Sequence, residues 1–227
     1  MLRSLARAVE LLFSLDRELY AIVLTSLRIS SVSTVVAATL SIPLGVWLGL
    51  TRVRGKKPIV AMLNSLMALP TVVIGLFVYS FISRSGPLGT LGLLFTPGAI
   101  VIGQLILSFP IVASMVYGAL NRLDPRLPET LTTLGATRAD MLWMVIRESK
   151  VAILSAVLAG FGRVIGEVGV SMMLGGNIRW YTRTITTAIA LETSKGEFEL
   201  GLALGIILMI IAIGINFILH WTFRRES

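Results

Sequence analysis

Five apolar segments, each long enough to cross a bilayer, leave this chain little choice of fold. They run over about Leu19–Leu50, Ile59–Ile82, Ala99–Leu120, Val151–Leu174 and Leu200–Phe223. A membrane helix needs about 20 mostly apolar residues. Inside the hydrocarbon every backbone N–H and C=O must find its partner within the protein. The expected fold is therefore an all-α integral membrane protein with five core transmembrane helices. Composition agrees: 55% of residues are hydrophobic and only 14% charged, with a mean hydropathy of +0.87, whereas soluble domains are about one-quarter charged. The net charge of +8 sits in short clusters between apolar runs. That is how a membrane protein marks its cytoplasmic side, and it points to the lipid bilayer, not to nucleic acid. The absence of cysteine excludes disulfides and thiolate chemistry. The single histidine, His220, cannot build a metal site, so no catalytic and no metal-ligating set is expected.

Residues 1–17 are amphipathic. Leu2, Leu5, Val9, Leu12 and Phe13 recur at helical spacing, with Arg3, Arg7 and Glu10 elsewhere. A helix lying in the membrane interface is predicted, preceding a membrane-spanning unit over 18–227. A cleaved signal peptide is disfavoured by Glu10 and Asp16 and by the lack of a small-residue cleavage site.

The first span exceeds the need of a bilayer, so it should tilt, kink at Pro43 or protrude. Its many hydroxyls, Thr25 to Ser41, suit either helix packing with back-bonding or a polar stripe on a path. Gly45/Gly49 and Gly201/Gly205 are close-packing pairs, and Gly160, Gly162, Gly166 and Gly169 extend that signal to the fourth span. The second span contains Pro70 and the third Pro110.

Between the third and fourth spans lies a polar insert, about residues 121–150, with five cations. Four more follow the first span and two close the chain, against seven on the opposite side. This bias predicts an external N-terminus and a cytoplasmic C-terminus. In the insert a short helix fits Glu129–Leu134, with Gly135 ending it.

The insert carries a family resemblance. Glu129, then Gly135 six residues on with Ala136-Thr137 after it, and Val145 ten beyond the glycine, resembles the EAA loop of ABC-transporter permeases. Thr130-Leu131 stands where that family has Ala-Ala, and Arg147-Glu148 where it has Leu-Pro. The stretch from Gly162-Arg163-Val164-Ile165-Gly166-Glu167 to Met172-Met173-Leu174-Gly175-Gly176-Asn177 resembles the tungstate-type permeases, relatives of molybdate and sulfate importers. The resemblance implies a multi-pass protein in the cytoplasmic (inner) membrane of a prokaryote. It further implies a homodimer with two ABC ATPase subunits and an external oxyanion-binding protein. The loop of Glu129, Thr130, Leu134, Gly135, Ala136, Thr137 and Arg138 would dock on the ATPase. No phosphate-binding Gly-x4-Gly-Lys-Ser/Thr loop occurs, so ATP and Mg would be bound by the separate ATPase chain and this chain would carry no cofactor of its own.

Arg163 and Glu167 are four residues apart in an apolar segment, hence on one helical face. Intramembrane charges face a bundle interior or a wet cavity. A structural or gating ion pair and an anion path are both open readings; Ser171, Met172, Met173 and Asn177 complete the candidate gate. The segment Asn177–Glu199 is read as external, with Arg179, Thr182, Arg183 and Thr184 as a candidate surface for an arriving oxyanion or its carrier. An ordinary solvated loop has the same composition.

The expected function is the membrane subunit of an ATP-driven oxyanion importer, tungstate first, molybdate or sulfate as alternatives. It is a transport subunit and not an enzyme; a passive channel or scaffold is the remaining reading. A dianion entering a cell works against about 2.3 kcal/mol per charge per 100 mV, which a passive channel does not overcome.

Overall fold

The computed structural model describes residues 2–14, 16–51, 55–123, 133 and 135–224. Among them the chain is helical and without strands, in agreement with the expectation. The helices are α1 (Leu2–Phe13), α2 (Arg17–Leu50), α3 (Lys56–Met67), α4 (Thr71–Ile82), α5 (Pro97–Leu120), α6 (Arg138–Glu148), α7 (Lys150–Ile165), α8 (Gly169–Gly175), α9 (Ile185–Lys195) and α10 (Phe198–Arg224), with a single 3-10 turn at Gly89–Leu91.

Three helices, α2, α5 and α10, are long and apolar enough to cross a membrane unbroken. The other two predicted spans are not single rods. The second divides into α3 and α4, bent by 99°, and the fourth into α7 and α8, bent by 63°. Among the described residues, counting each bent pair as one crossing allows up to five by length and composition. Pro70 explains the first break: it brings no N–H, and it caps α4 in an extended conformation (φ −61°, ψ 128°). The second falls at Gly166–Val168, where Gly166 ends α7.

The bundle is centred on α2, α5 and α7. Asp16 starts α2 by accepting from the Leu19 N–H at 2.8 Å. The predicted Gly45/Gly49 contact is present. A Cβ on Gly45 would stand 2.8 Å from Val116 Cβ and 2.9 Å from the Ala113 carbonyl oxygen, and one on Gly49 2.6 Å from Leu120 Cβ. Gly160 likewise admits Val112 of α5. The second pair behaves otherwise. Gly205 faces open space, and Gly201 has only Glu192 Cβ, at 3.8 Å. A glycine pair permits close approach, but α9 comes only to ordinary contact distance of Gly201, through Glu192.

The hydroxyls of α2 mostly serve packing. Thr25, Ser26, Thr34 and Thr39 donate to carbonyls four residues back. Ser33 and Ser41 donate across to the Val101 and Phe109 carbonyls of α5. Such bonds hold helices together where lipid offers no hydrophobic drive. The helix α1 seats Ala8, Leu11 and Leu12 with Leu19, Ile185 and Leu204.

Substituting Gly45→Val should destabilise the purified protein by about 1–3 kcal/mol through overpacking against α5. Gly214→Ala, where an added Cβ meets nothing within 4 Å, should be neutral or slightly stabilising. Thermal unfolding in detergent of both variants checks this.

Candidate functional site

The two helix breaks meet. A Cβ on Gly169, the first residue of α8, would lie 3.0 Å from Val72 Cγ2, 3.2 Å from Thr71 Oγ1 and 3.4 Å from Glu167 Oε1. The start of α4 thus faces the start of α8. One turn on, Gly75 admits Met173, whose sulfur would be 3.1 Å from a Cβ there. Around this junction Ile74, Val78, Leu107, Val164, Val170 and Leu174 form an apolar core.

Glu167 sits in the second break. It is buried, its side chain 5% exposed, and its Oε2 pairs with Arg163 Nη1 at 2.7 Å. The predicted pair is therefore present, but it bridges the end of α7 and the break, not one continuous helical face. Oε1 accepts from the Val170 N–H at 3.3 Å, so the carboxylate also caps the short α8. The carbonyl oxygen of Glu167 accepts the Thr186 hydroxyl of α9 at 2.8 Å. Gln104 of α5, itself buried, donates through Nε2 to the Val164 carbonyl at 3.2 Å. A helix break frees backbone groups that cannot stay unpaired in hydrocarbon; here Thr186 takes the Glu167 carbonyl, and Gln104 reinforces the Val164 carbonyl, which also accepts the Glu167 N–H. Gln104 and Thr186 were not singled out for this role from the sequence. A lone amide inside an apolar span was the available signal for Gln104.

The other candidates are distributed differently. Ser171 is buried and its hydroxyl has no partner. Met172 and Met173 are half-buried on α8. Asn177 lies beyond α8, at φ 51°, and its side-chain amide donates to the Thr187 carbonyl at 3.3 Å. It closes the turn towards α9.

The segment read as external is largely packed. Thr182 and Thr184 are buried. The Thr182 hydroxyl bonds the Gly175 carbonyl and the Ile178 N–H, and Thr184 forms a capping box with Thr187 at the start of α9. Neither hydroxyl reaches the surface in this conformation. Arg179 and Arg183 both bind Glu18 at the start of α2, at 2.6 Å and 3.2 Å. The Glu18 carboxylate raises the pKa of Arg179 above its ordinary value, through its hydrogen bond first and its charge second.

In the polar insert, Glu129, Thr130 and Leu134 lie outside the described residues. Gly135 stands at φ 81°, the left-handed region that a helix-ending glycine adopts. Ala136 is half-buried and Thr137 exposed. Thr137 caps α6 in a reciprocal box with Asp140. The Thr137 hydroxyl and then its backbone N–H lower the pKa of Asp140 below the ordinary carboxylate value. Arg138 is the first residue of α6. Among the described side chains of α6, Val145 alone is fully buried, packed with Val46, Val112, Val116 and Ala156. Leu142, Trp143, Met144 and Ile146 are exposed.

With this geometry in view, the family model described as "Binding-protein-dependent transport system inner membrane component" matches residues 41–226. The chain belongs to that family. Members of this permease family most similar to it include the tungstate uptake system permease protein TupB of Peptoclostridium acidaminophilum, 39% identical over 94% of this chain and 93% of the relative. TupB of Campylobacter jejuni is 40% identical over 94% and 90%. The molybdenum transport permease ModB of Azotobacter vinelandii is 31% identical over 77% and 80%. Among solved structures, the inward-facing MetNI methionine ABC transporter matches with a TM-score of 0.75 over 92% of this chain and 96% of that chain, at 18% identity. The permease is thus a multi-pass inner membrane protein and a transport component, not an enzyme.

Removing the charge by Glu167→Gln should cost about 1–2 kcal/mol, because Arg163 is left half-buried and unpaired while the Val170 cap survives. A double-mutant cycle with Arg163→Gln, read by unfolding, should return a coupling of at least about 0.5 kcal/mol. A coupling near zero would mean that the pair contributes nothing to the fold.

Proposed function

We propose that this permease is the membrane subunit of an ATP-driven importer for a tetrahedral oxyanion, tungstate in the first place. The observation that carries the substrate is the order of similarity. The tungstate uptake permeases stand at 39% and 40% identity over 94% of the chain. A molybdenum permease stands at 31% over 77%, and a sulfate permease at 29% over 70%. Molybdate or sulfate carried by the same machine is the second reading.

In this proposal two copies form the pathway, two ABC ATPase subunits bind ATP and Mg, and an external protein delivers the oxyanion. The N-terminus is external and the C-terminus cytoplasmic, as the Lys/Arg distribution supports. Residues 1–17 form an interfacial helix ahead of the permease domain. The loop from Glu129 through Thr130 and Leu134 to Arg138 receives the ATPase. The left-handed Gly135 and the Thr137 cap support a defined turn there. Val145 in the bundle core supports a rigid link from that loop to α2, α5 and α7.

For Arg163 and Glu167 the geometry favours a structural or gating pair over an anion path. The guanidinium is already neutralised at 2.7 Å by a carboxylate, so it offers an oxyanion little attraction. The junction of α4 and α8, with Ser171, Met172, Met173 and Asn177 nearby, is the gate in this reading. Arg179 and Arg183, with Thr182 and Thr184 behind them, form part of the external face. Closure of the ATPases would move the two broken helices against each other.

The test is uptake of tungsten in cells lacking their own oxyanion importers, with the permease expressed beside its ATPase and binding protein and cell tungsten read by mass spectrometry. Permease-dependent uptake that survives excess molybdate and sulfate is expected. Uptake abolished by molybdate would move the assignment to a shared-oxyanion system. In the same assay Gly135→Val, which places a branched side chain at φ 81°, should lower uptake at least tenfold, and Gly135→Asn, which tolerates that conformation, should keep most of it.

A further inference from the structure

The helix α2 is 34 residues long, about 51 Å at 1.5 Å per residue, against about 30 Å of hydrocarbon. Its charges divide it. Arg17, Glu18 and Arg28 lie in the first third, and Ile29–Leu50 carries none. That uncharged stretch is about 33 Å long, which matches the hydrocarbon thickness. Arg28 therefore stands at the boundary, and the turns before it protrude to where Arg179 and Arg183 hold Glu18.

Arg28 is exposed and makes no ion pair or hydrogen bond among the described residues. It opens onto a groove of about 590 Å³ with Trp180 and Tyr181. Both aromatics are exposed, and residues of this kind favour the level of the lipid headgroups. Trp180 is held at φ 66°, a conformation costly for a bulky residue. The groove continues downwards over Ile29, Val32 and Val101, an apolar surface. Its upper edge includes Pro97 and Gly98, the first turn of the 24-residue α5, whose dipole favours negative charge.

We propose that this groove binds one anionic phospholipid, its phosphate on Arg28 between Trp180 and Tyr181 and an acyl chain along Ile29, Val32 and Val101. A lone guanidinium at the hydrocarbon boundary calls for an anion, and the apolar run below it calls for a chain attached to that anion. A free oxyanion satisfies the first demand and not the second. A headgroup bearing its own ammonium meets repulsion from Arg28, so phosphatidylglycerol is preferred over phosphatidylcholine. The site is independent of which oxyanion the permease carries.

Native mass spectrometry of the purified full chain, with any partner subunits that accompany it, tests this with phosphatidylglycerol and phosphatidylcholine as probes. The wild-type chain should retain one phosphatidylglycerol in preference to phosphatidylcholine. Arg28→Gln should bind it about tenfold more weakly, and Arg28→Lys should keep most of the binding. Equal retention of phosphatidylglycerol by wild type and Arg28→Gln would overturn the proposal. So would its displacement by millimolar inorganic phosphate or tungstate, which would mark a free-oxyanion site. A wild-type dimer that binds no lipid and falls apart in Arg28→Gln would assign the groove to a second copy of the chain. Should Arg28→Gln not fold, the wild-type comparison decides alone: no preference between the two lipids overturns it.

Discussion

The architecture depends on one constraint: in hydrocarbon no backbone group can be left to water. An unbroken helix meets it by itself, as α2, α5 and α10 do. Two helix pairs are broken, and the second break hands an obligation to other parts of the chain. At Gly166–Val168 the freed carbonyl of Glu167 is taken by Thr186, and Gln104 adds a bond to the Val164 carbonyl, which also accepts the Glu167 N–H. Those two residues come from α5 and α9, so the break ties three helices together.

Glu167 concentrates several of these duties. Its side chain neutralises Arg163, its second oxygen caps α8, and its backbone oxygen receives α9. A carboxylate is costly to bury unless charge and hydrogen bonds compensate it, and here both do. The result is a joint that is polar in its bonding yet surrounded by apolar side chains. It abuts the other joint, at Pro70–Thr71, across Gly169.

The polar insert reaches the same bundle by a different route. The helix α6 is mostly exposed, yet Val145 is sunk among Val46, Val112 and Val116. Close packing makes such a contact stiff. The insert is thus joined to α2 and α5 through a side chain, and along the backbone to α7, which begins two residues after α6 ends. At the opposite end Glu18 clamps Arg179 and Arg183, joining the protruding start of α2 to the segment that leads into α9.

Apolar length and charge placement determined that the chain is helical and crosses a membrane several times, because the cost of unpaired backbone in lipid leaves few alternatives. The Glu129, Gly135 and Val145 spacing and the Gly166-Glu167 stretch pointed to the family, and Pro70 was visible as a point of weakness. What the sequence did not reveal was that Pro70 and Gly166 break their spans fully. Proline and glycine permit a bend, but its size depends on what packs beside it. Likewise, the Gly45/Gly49 and Gly201/Gly205 patterns are alike on paper, and only the first receives a helix. The threonines of residues 182–187 looked like a polar surface, yet tertiary packing buried them, because Thr186 found a backbone partner at the Glu167 break and the others in the turns around them. Only the folded structure decides which polar groups meet each other, since partners such as Gln104 and Val164 are separated by 60 residues and no local pattern joins them.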